Sequence, residues 1–198
     1  MTIIHLCKAP PQGADLIFVF AGREYRKQYG LELFKNGVAP KILFSVSRFE
    51  IRRFSKLPLP APLDLLKLAA DAPPPQRHFF VLFHRSTVQV TYVRPRRFGT
   101  LTEIEALLHW LQHHPEVHSV ALISSHSHLP RIRLCCRLLL SKDLEIYLAS
   151  APAHLSRASF LDRFAAAFLE RLKSFVYVVM LAFRRGHPRV NPVIRDLR

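Results

Sequence analysis

The chain has 198 residues and carries 29 Lys and Arg against 14 Asp and Glu, a formal net charge of +15. That length suits one domain with at most an appendage, and 49% apolar against 22% charged residues excludes disorder of the whole chain, collagen-like repeats and coiled coils. The cationic surface favours anionic partners, whether phosphorylated metabolites, lipid headgroups or nucleic acid.

Residues 1–13 read as an N-terminal tail, and Met1-Thr2-Ile3-Ile4-His5-Leu6 lacks the cationic start and long apolar stretch of a signal peptide. Residues 14–22 are a nearly continuous apolar run ending in Gly22, the pattern of a strand buried on both faces of a parallel sheet. A helix over 23–34 follows, stopped by Asn36-Gly37 and Pro40. With a second buried strand over 41–46, these elements make one βαβ unit. Pro58, Pro60, Pro62 and Pro73-Pro74-Pro75 then punctuate an elaborated connection with a short helix at 63–70.

Residues 78–83 and 88–93 read as strands around a turn at Arg85-Ser86, with their pairing left open. Thr100-Leu101-Thr102-Glu103-Ile104-Glu105 predicts a helix start with two overlapping capping boxes, Thr100 with Glu103 and Thr102 with Glu105. Its core face is Ile104, Leu107, Leu108 and Leu111, and Pro115 ends it. Residues 118–125 form another buried strand, Pro130 opens a helix over 131–140, and 143–149 are the last strand. Residues 157–185 read as a long helix with a stripe of Phe160, Phe164, Phe168, Leu172, Val176 and Val179, followed by a frayed tail.

This alternation predicts a three-layer α/β domain with a mainly parallel sheet over 14–154, then a C-terminal helix and tail over 155–198 that packs on the domain or faces a membrane. The most apolar run there, 175–183, is shorter than the about 20 residues a span needs. With Lys173, Arg184 and Arg185 it suits attachment to an anionic membrane surface. Cys7, Cys135 and Cys136 are an odd set without a C-x-x-C pair, which fits a reduced, intracellular chain. His109 and His113 have a helical metal-ligand spacing, but they point away from the core face at the sheet edge opposite the expected site, so no metal is predicted. The G-x-G-x-x-G, Walker, G-x-S-x-G and H-E-x-x-H signatures do not occur.

Open parallel sheets bind ligands at the carboxyl ends of their strands. After the strands of this chain come Gly22-Arg23-Glu24 with Arg26, Ser45-Val46-Ser47-Arg48, Arg94-Pro95-Arg96-Arg97 and Ser124-Ser125-His126-Ser127-His128 with Arg131. Helices starting near Arg23, Thr102 and Pro130 would aim free N–H groups at the same edge, which predicts an anion-binding crevice. Gly22, Arg23, Arg26, Ser45, Thr100, Ser124, His126 and Arg131 are the expected ligand contacts, while Arg96 and Arg97 read as solvated surface. His128 and Arg131 pair a titratable group with a permanent cation. In an enzyme, His128 would be the general acid or base, Arg23 and Arg131 would hold a phosphate, and Glu103 would be a site carboxylate unless it caps its helix. Asp15, at the other end of the first strand, reads as structural. Nucleic acid is disfavoured, because the aromatic residues sit inside apolar runs rather than among the basic ones.

The strand entering Gly22-Arg23, the run Leu33-Phe34-Lys35-Asn36-Gly37-Val38-Ala39-Pro40-Lys41-Ile42-Leu43-Phe44-Ser45, the Thr100-Leu101-Thr102-Glu103 helix start and the Ser124-x-x-x-His128-x-x-Arg131 turn together resemble the bacterial SanA/ElyC/YdcF-like proteins, a family long described as a domain of unknown function. The resemblance spans about residues 14 to 150. It implies a Rossmann-like fold, a link to cell-envelope or peptidoglycan-precursor metabolism and, in one branch, S-adenosylmethionine as cofactor. Arg23, Ser45, Thr100, Glu103, Ser124, His128 and Arg131 match the family pattern. Many relatives have Ser-Gly where this chain has Ser45-Val46, and many carry an N-terminal membrane anchor that is not read here. The expected location is therefore cytoplasmic, peripheral to the inner membrane.

Overall fold

A computed structural model describes residues 3–73, 77–93, 99–140, 144–152 and 194–196, the last stretch by its backbone. In chain order the elements are β1 (Ile3–Cys7), β2 (Leu16–Val19), α1 (Glu24–Lys35), β3 (Lys41–Ser47), α2 (Ile51–Phe54), α3 (Leu65–Asp71), β4 (His78–His84) and β5 (Thr87–Val93). There follow α4 (Gly99–Gln112), β6 (Ser119–Ser124), a 3-10 turn (His126–His128), α5 (Leu129–Leu139), β7 (Glu145–Ser150) and β8 (Ile194–Asp196). They build an eight-stranded sheet in the order β1-β7-β6-β2-β3-β4-β5-β8. Pairing is parallel from β1 through β3 and antiparallel from β3 through β8. The chain leaves β2 for β3 on one side and later returns to β6 on the other. The strand order thus reverses between β2 and β6, the place where open α/β sheets commonly bind ligands.

The continuous apolar runs become strands buried on both faces, because alternate side chains take opposite sides of a sheet. Ile17, Val19, Ile42 and Phe44 join Leu31, Phe54 and Leu65 under α1, α2 and α3. Leu16, Phe18, Leu43 and Leu122 join Ile104, Leu107 and Ile132 under α4 and α5. Helices therefore cover both faces of the sheet. Each large apolar side chain so buried contributes roughly 1.5–3 kcal/mol. Helix α1 lies against β2 closely enough that a Cβ on Gly30 would come 2.5 Å from Val19 Cγ2. It ends as expected at Asn36, with Gly37 in the left-handed region (φ 73°) and Val38 N–H returning to Leu33 O.

Several expectations change. Ile3–Cys7, read as part of a tail, pairs with β7 as an edge strand, and its outward Ile3 and Leu6 hid the burial pattern by which strands were sought. Residues 194–196, read as frayed, pair with β5 at the other edge. The two strands of open pairing form an antiparallel hairpin, turning through Arg85 at φ 54°. The capping boxes are corrected: α4 already includes Gly99, so Thr100 and Thr102 lie inside the helix rather than at its N-cap. The proline-rich connection contains the short α2 as well as α3, whose first turn is capped by Asp64 accepting from Lys67 N–H. The helix predicted over 157–185 and the arginines at 94, 96 and 97 lie outside the described residues.

Cys7, Cys135 and Cys136 are free thiols. Burial pushes Cys135 up to about 12 and Cys136 higher still, so neither ionises readily. Among the described residues no helix is long and apolar enough to cross a membrane.

Candidate functional site

Beyond β2, Phe20 N–H still reaches Ile123 O, and the chain then turns through Gly22 at φ 132°, a conformation that favours glycine. A Cβ at Gly22 would fall 2.7 Å from Arg26 Nη1, so the guanidinium lies directly against this turn. Arg26 Nη1 donates to Ala21 O at 2.7 Å and Nη2 donates to Ser125 Oγ at 2.8 Å, tying β2 to the end of β6. Arg26 is only 8% exposed. Among the described residues it pairs with no carboxylate, and its buried Nε has no hydrogen-bond acceptor. A guanidinium stays charged at any ordinary pH, so a permanent cation sits largely out of water in the crevice without a matching anion.

The next residue behaves differently. Lys27 Nζ donates to Phe20 O at 2.9 Å and to Glu50 Oε2 at 2.6 Å. Glu50 Oε1 accepts from Ser47 N–H at 3.2 Å and Ser47 Oγ at 2.6 Å, and the Gly22 N–H dipole also favours this carboxylate. Burial pulls Lys27 below the usual ammonium range, an effect that Glu50 partly offsets. Burial would raise Glu50, but the charge and hydrogen bond of Lys27 and the donors of Ser47 and Gly22 hold it below the usual carboxylate range. A carboxylate facing this many donors is ionised, and the pair is best described as Lys⁺–Glu⁻.

On the α4 and α5 side, Ser124 Oγ lies 2.9 Å from His128 Nδ1, and Thr100 Oγ1 lies 3.2 Å from His128 Nε2. Arg131 donates from Nε to Thr100 Oγ1 at 3.0 Å and from Nη2 to His128 Nε2. The imidazole is thus held between the hydroxyls of Ser124 and Thr100, beside a permanent cation. Glu103 Oε1 accepts from Ala21 N–H at 2.7 Å, bracing the first turn from the opposite face. Ser45 Oγ lies 2.7 Å from His78 Nε2, and burial pulls His78 below its ordinary value despite the charges of Glu103 and Glu50.

Gly22, Arg26, Thr100, Glu103, Ser124, His128 and Arg131 are thus brought together at the carboxyl ends of β2 and β6. Glu103 and His128 are buried and engaged with protein groups. Arg23, at the start of α1, and His126, on the 3-10 turn, are exposed at the rim. Ser45 belongs to the layer beneath, fully buried against His78. Lys27, Glu50, His78 and Ser125 were missed. Lys27 reads as surface charge on a helix, and the one local hint to Glu50 is a lone acid within Arg48-Phe49-Glu50-Ile51-Arg52-Arg53. A shallow cleft lined by Lys27, Glu50, Arg53, Phe54 and Leu57 opens beside the turn.

Among the described residues no group of three or more His, Cys, Asp or Glu side chains could hold a metal ion, and the imidazoles of His113 and His114 instead meet the carbonyls of His109 and Trp110. Comparisons with protein-family models, with curated proteins and with solved structures find no match, so the geometry of the crevice carries the functional argument.

Proposed function

We propose that this is a Rossmann-like protein of the SanA/ElyC/YdcF-like type whose crevice between β2 and β6 binds an anionic small molecule, nucleotide-like or otherwise phosphorylated, in cell-envelope biogenesis. The observation that carries the ligand class is Arg26, buried across the strand-order reversal with no carboxylate partner among the described residues and with Nε unmatched. An anionic ligand group held beside the Arg26 guanidinium would supply the missing countercharge. The start of α1, where the Arg23 side chain supplies no cap, adds a positive dipole end at the same edge. The resemblance of the sequence motifs supports the family and its link to the envelope. A nucleotide-like ligand is further favoured by Phe49, which is 72% exposed and has the Arg48 guanidinium 4.5 Å from its ring centroid. It offers a stacking surface on the turn that follows β3.

Calorimetric titration with inorganic phosphate and with a nucleoside monophosphate tests the reading. The wild type should bind both, and Arg26→Met should weaken both by about tenfold or more. Equal affinity in the variant would overturn the assignment of Arg26 as anchor.

A further inference from the structure

The turn after β2 carries the donors that a phosphate would use, and a protein side chain already saturates them. Ser47 N–H, the Ser47 hydroxyl and the Lys27 ammonium converge on the two oxygens of Glu50, and the Gly22 N–H dipole also favours this carboxylate. A carboxylate offers about four lone-pair sites, so this one has little capacity left. Its backbone is held as well, because the Glu50 carbonyl accepts from Arg53 N–H at 2.9 Å and Phe54 N–H at 2.8 Å, and Glu50 N–H donates to Ser47 O at 2.9 Å. Arg26, the residue before Lys27, faces the other way, toward Ser125 at the end of β6, and keeps its Nε unmatched. Two adjacent anion positions therefore exist at this edge, one filled by the protein and one not.

We propose that Glu50 is a specificity-determining residue, a built-in anion that occupies the position on the β2–α1 turn and limits the crevice to ligands presenting one anionic group to Arg26. This inference rests on the reading of Arg26 as the ligand anchor. The ligand class it defines is a phosphomonoester or carboxylate. Pyrophosphate-bridged compounds are disfavoured, because their second phosphate would have to displace Glu50 or lie against its charge. A stacked base on Phe49 remains compatible, provided that the ligand is a mononucleotide.

The test compares inorganic phosphate with pyrophosphate on the full chain by calorimetry. The wild type should bind pyrophosphate no more tightly than phosphate. Glu50→Gln keeps the size and one acceptor oxygen but removes the charge, and should raise the affinity for pyrophosphate relative to phosphate by about tenfold. Because Glu50→Gln leaves Lys27 without its counter-ion and is liable to misfold, Ser47→Ala is the second variant. It loosens the carboxylate by one hydrogen bond, keeps the ion pair, and should raise the same ratio by about two- to fivefold. An unchanged ratio in the variants that fold, or a wild type that already prefers pyrophosphate about tenfold, would overturn the role of Glu50. Phosphate binding that is absent, or indifferent to Arg26→Met, would instead overturn the anion site itself.

Discussion

At the amino end of the sheet, Asp15 accepts from His118 N–H at 2.9 Å, Ser119 N–H at 2.8 Å and Ser119 Oγ at 2.9 Å, joining β2 to β6 in partial contact with water. At the carboxyl end Glu50 joins β2, α1 and β3 in a similar way, but from a buried position and with an ammonium as one of its donors. Each end also carries a Lys–Glu pair. Lys41 and Glu116 meet with side chains 17% and 53% exposed, whereas Lys27 and Glu50 meet at 2% and 8%. The amino end thus uses solvated charge to hold strands together. The carboxyl end withdraws charge from water, at a desolvation cost that packing alone would not require, and leaves Arg26 Nε unmatched. This concentration of buried, unevenly matched charge is the asymmetry on which the proposed binding edge rests.

The sharpest way to break this contrast is to remove each lysine. Lys27→Met should lower the unfolding free energy in urea by roughly 3–5 kcal/mol, because Glu50 is left buried without its cation, and Lys41→Met should lower it by roughly 0–1 kcal/mol. Equal losses would erase the distinction between the ends. A glycine pair makes the second comparison. Gly22→Ala should cost roughly 1–3 kcal/mol and weaken phosphate binding, since both its φ and the Arg26 guanidinium oppose a methyl group. Gly37→Ala, with nothing within 4 Å of its Cβ, should cost roughly 1 kcal/mol and leave binding unchanged.

The smallest effect is in acid. Burial tends to raise Asp15, but hydrogen bonds from His118 and Ser119 outweigh it and hold it below its ordinary value, and Glu50 is also depressed. Groups lowered on folding contribute stability that is fully present above their unfolded pKa values, near about 4, and that is lost as pH falls through the lower folded values. Urea midpoints should therefore decline below about pH 4, and Asp15→Asn should make the decline shallower. An identical slope in the variant would show that Asp15 holds no such linkage.

What could be read in advance divides along the same physical line. The buried runs over 14–22, 41–46 and 118–125 and the stop at Asn36-Gly37 were legible because burial on both faces and helix termination are written in neighbouring residues. Strands β1 and β8 were not, since an edge strand depends on the neighbour it pairs with more than on its own apolar pattern. Arg26, Ser124, His128 and Arg131 could be placed at one edge from strand ends and helix starts alone. The Lys27–Glu50 pair could not, because it joins residues 23 apart through the position of a four-residue helix. Nor could Ser45–His78, 33 residues apart, which depends on the register of β3 against β4. Thr100 and Glu103 misled for a related reason: their spacing suits a cap, but tertiary partners at His128, Arg131 and Ala21 claim both side chains.

Gly30 follows Arg26 by four residues and Lys27 by three, so it shares their face of α1. Its bare Cα lies where a methyl group would collide with Val19 Cγ2 at 2.5 Å. The height of both cations above the strand ends is consequently gauged by a steric stop that carries no charge and touches no ligand. Enlarging that stop by one carbon would lift the cation-bearing turn away from Ala21 and Phe20, detuning the crevice while every polar group in it stayed chemically intact.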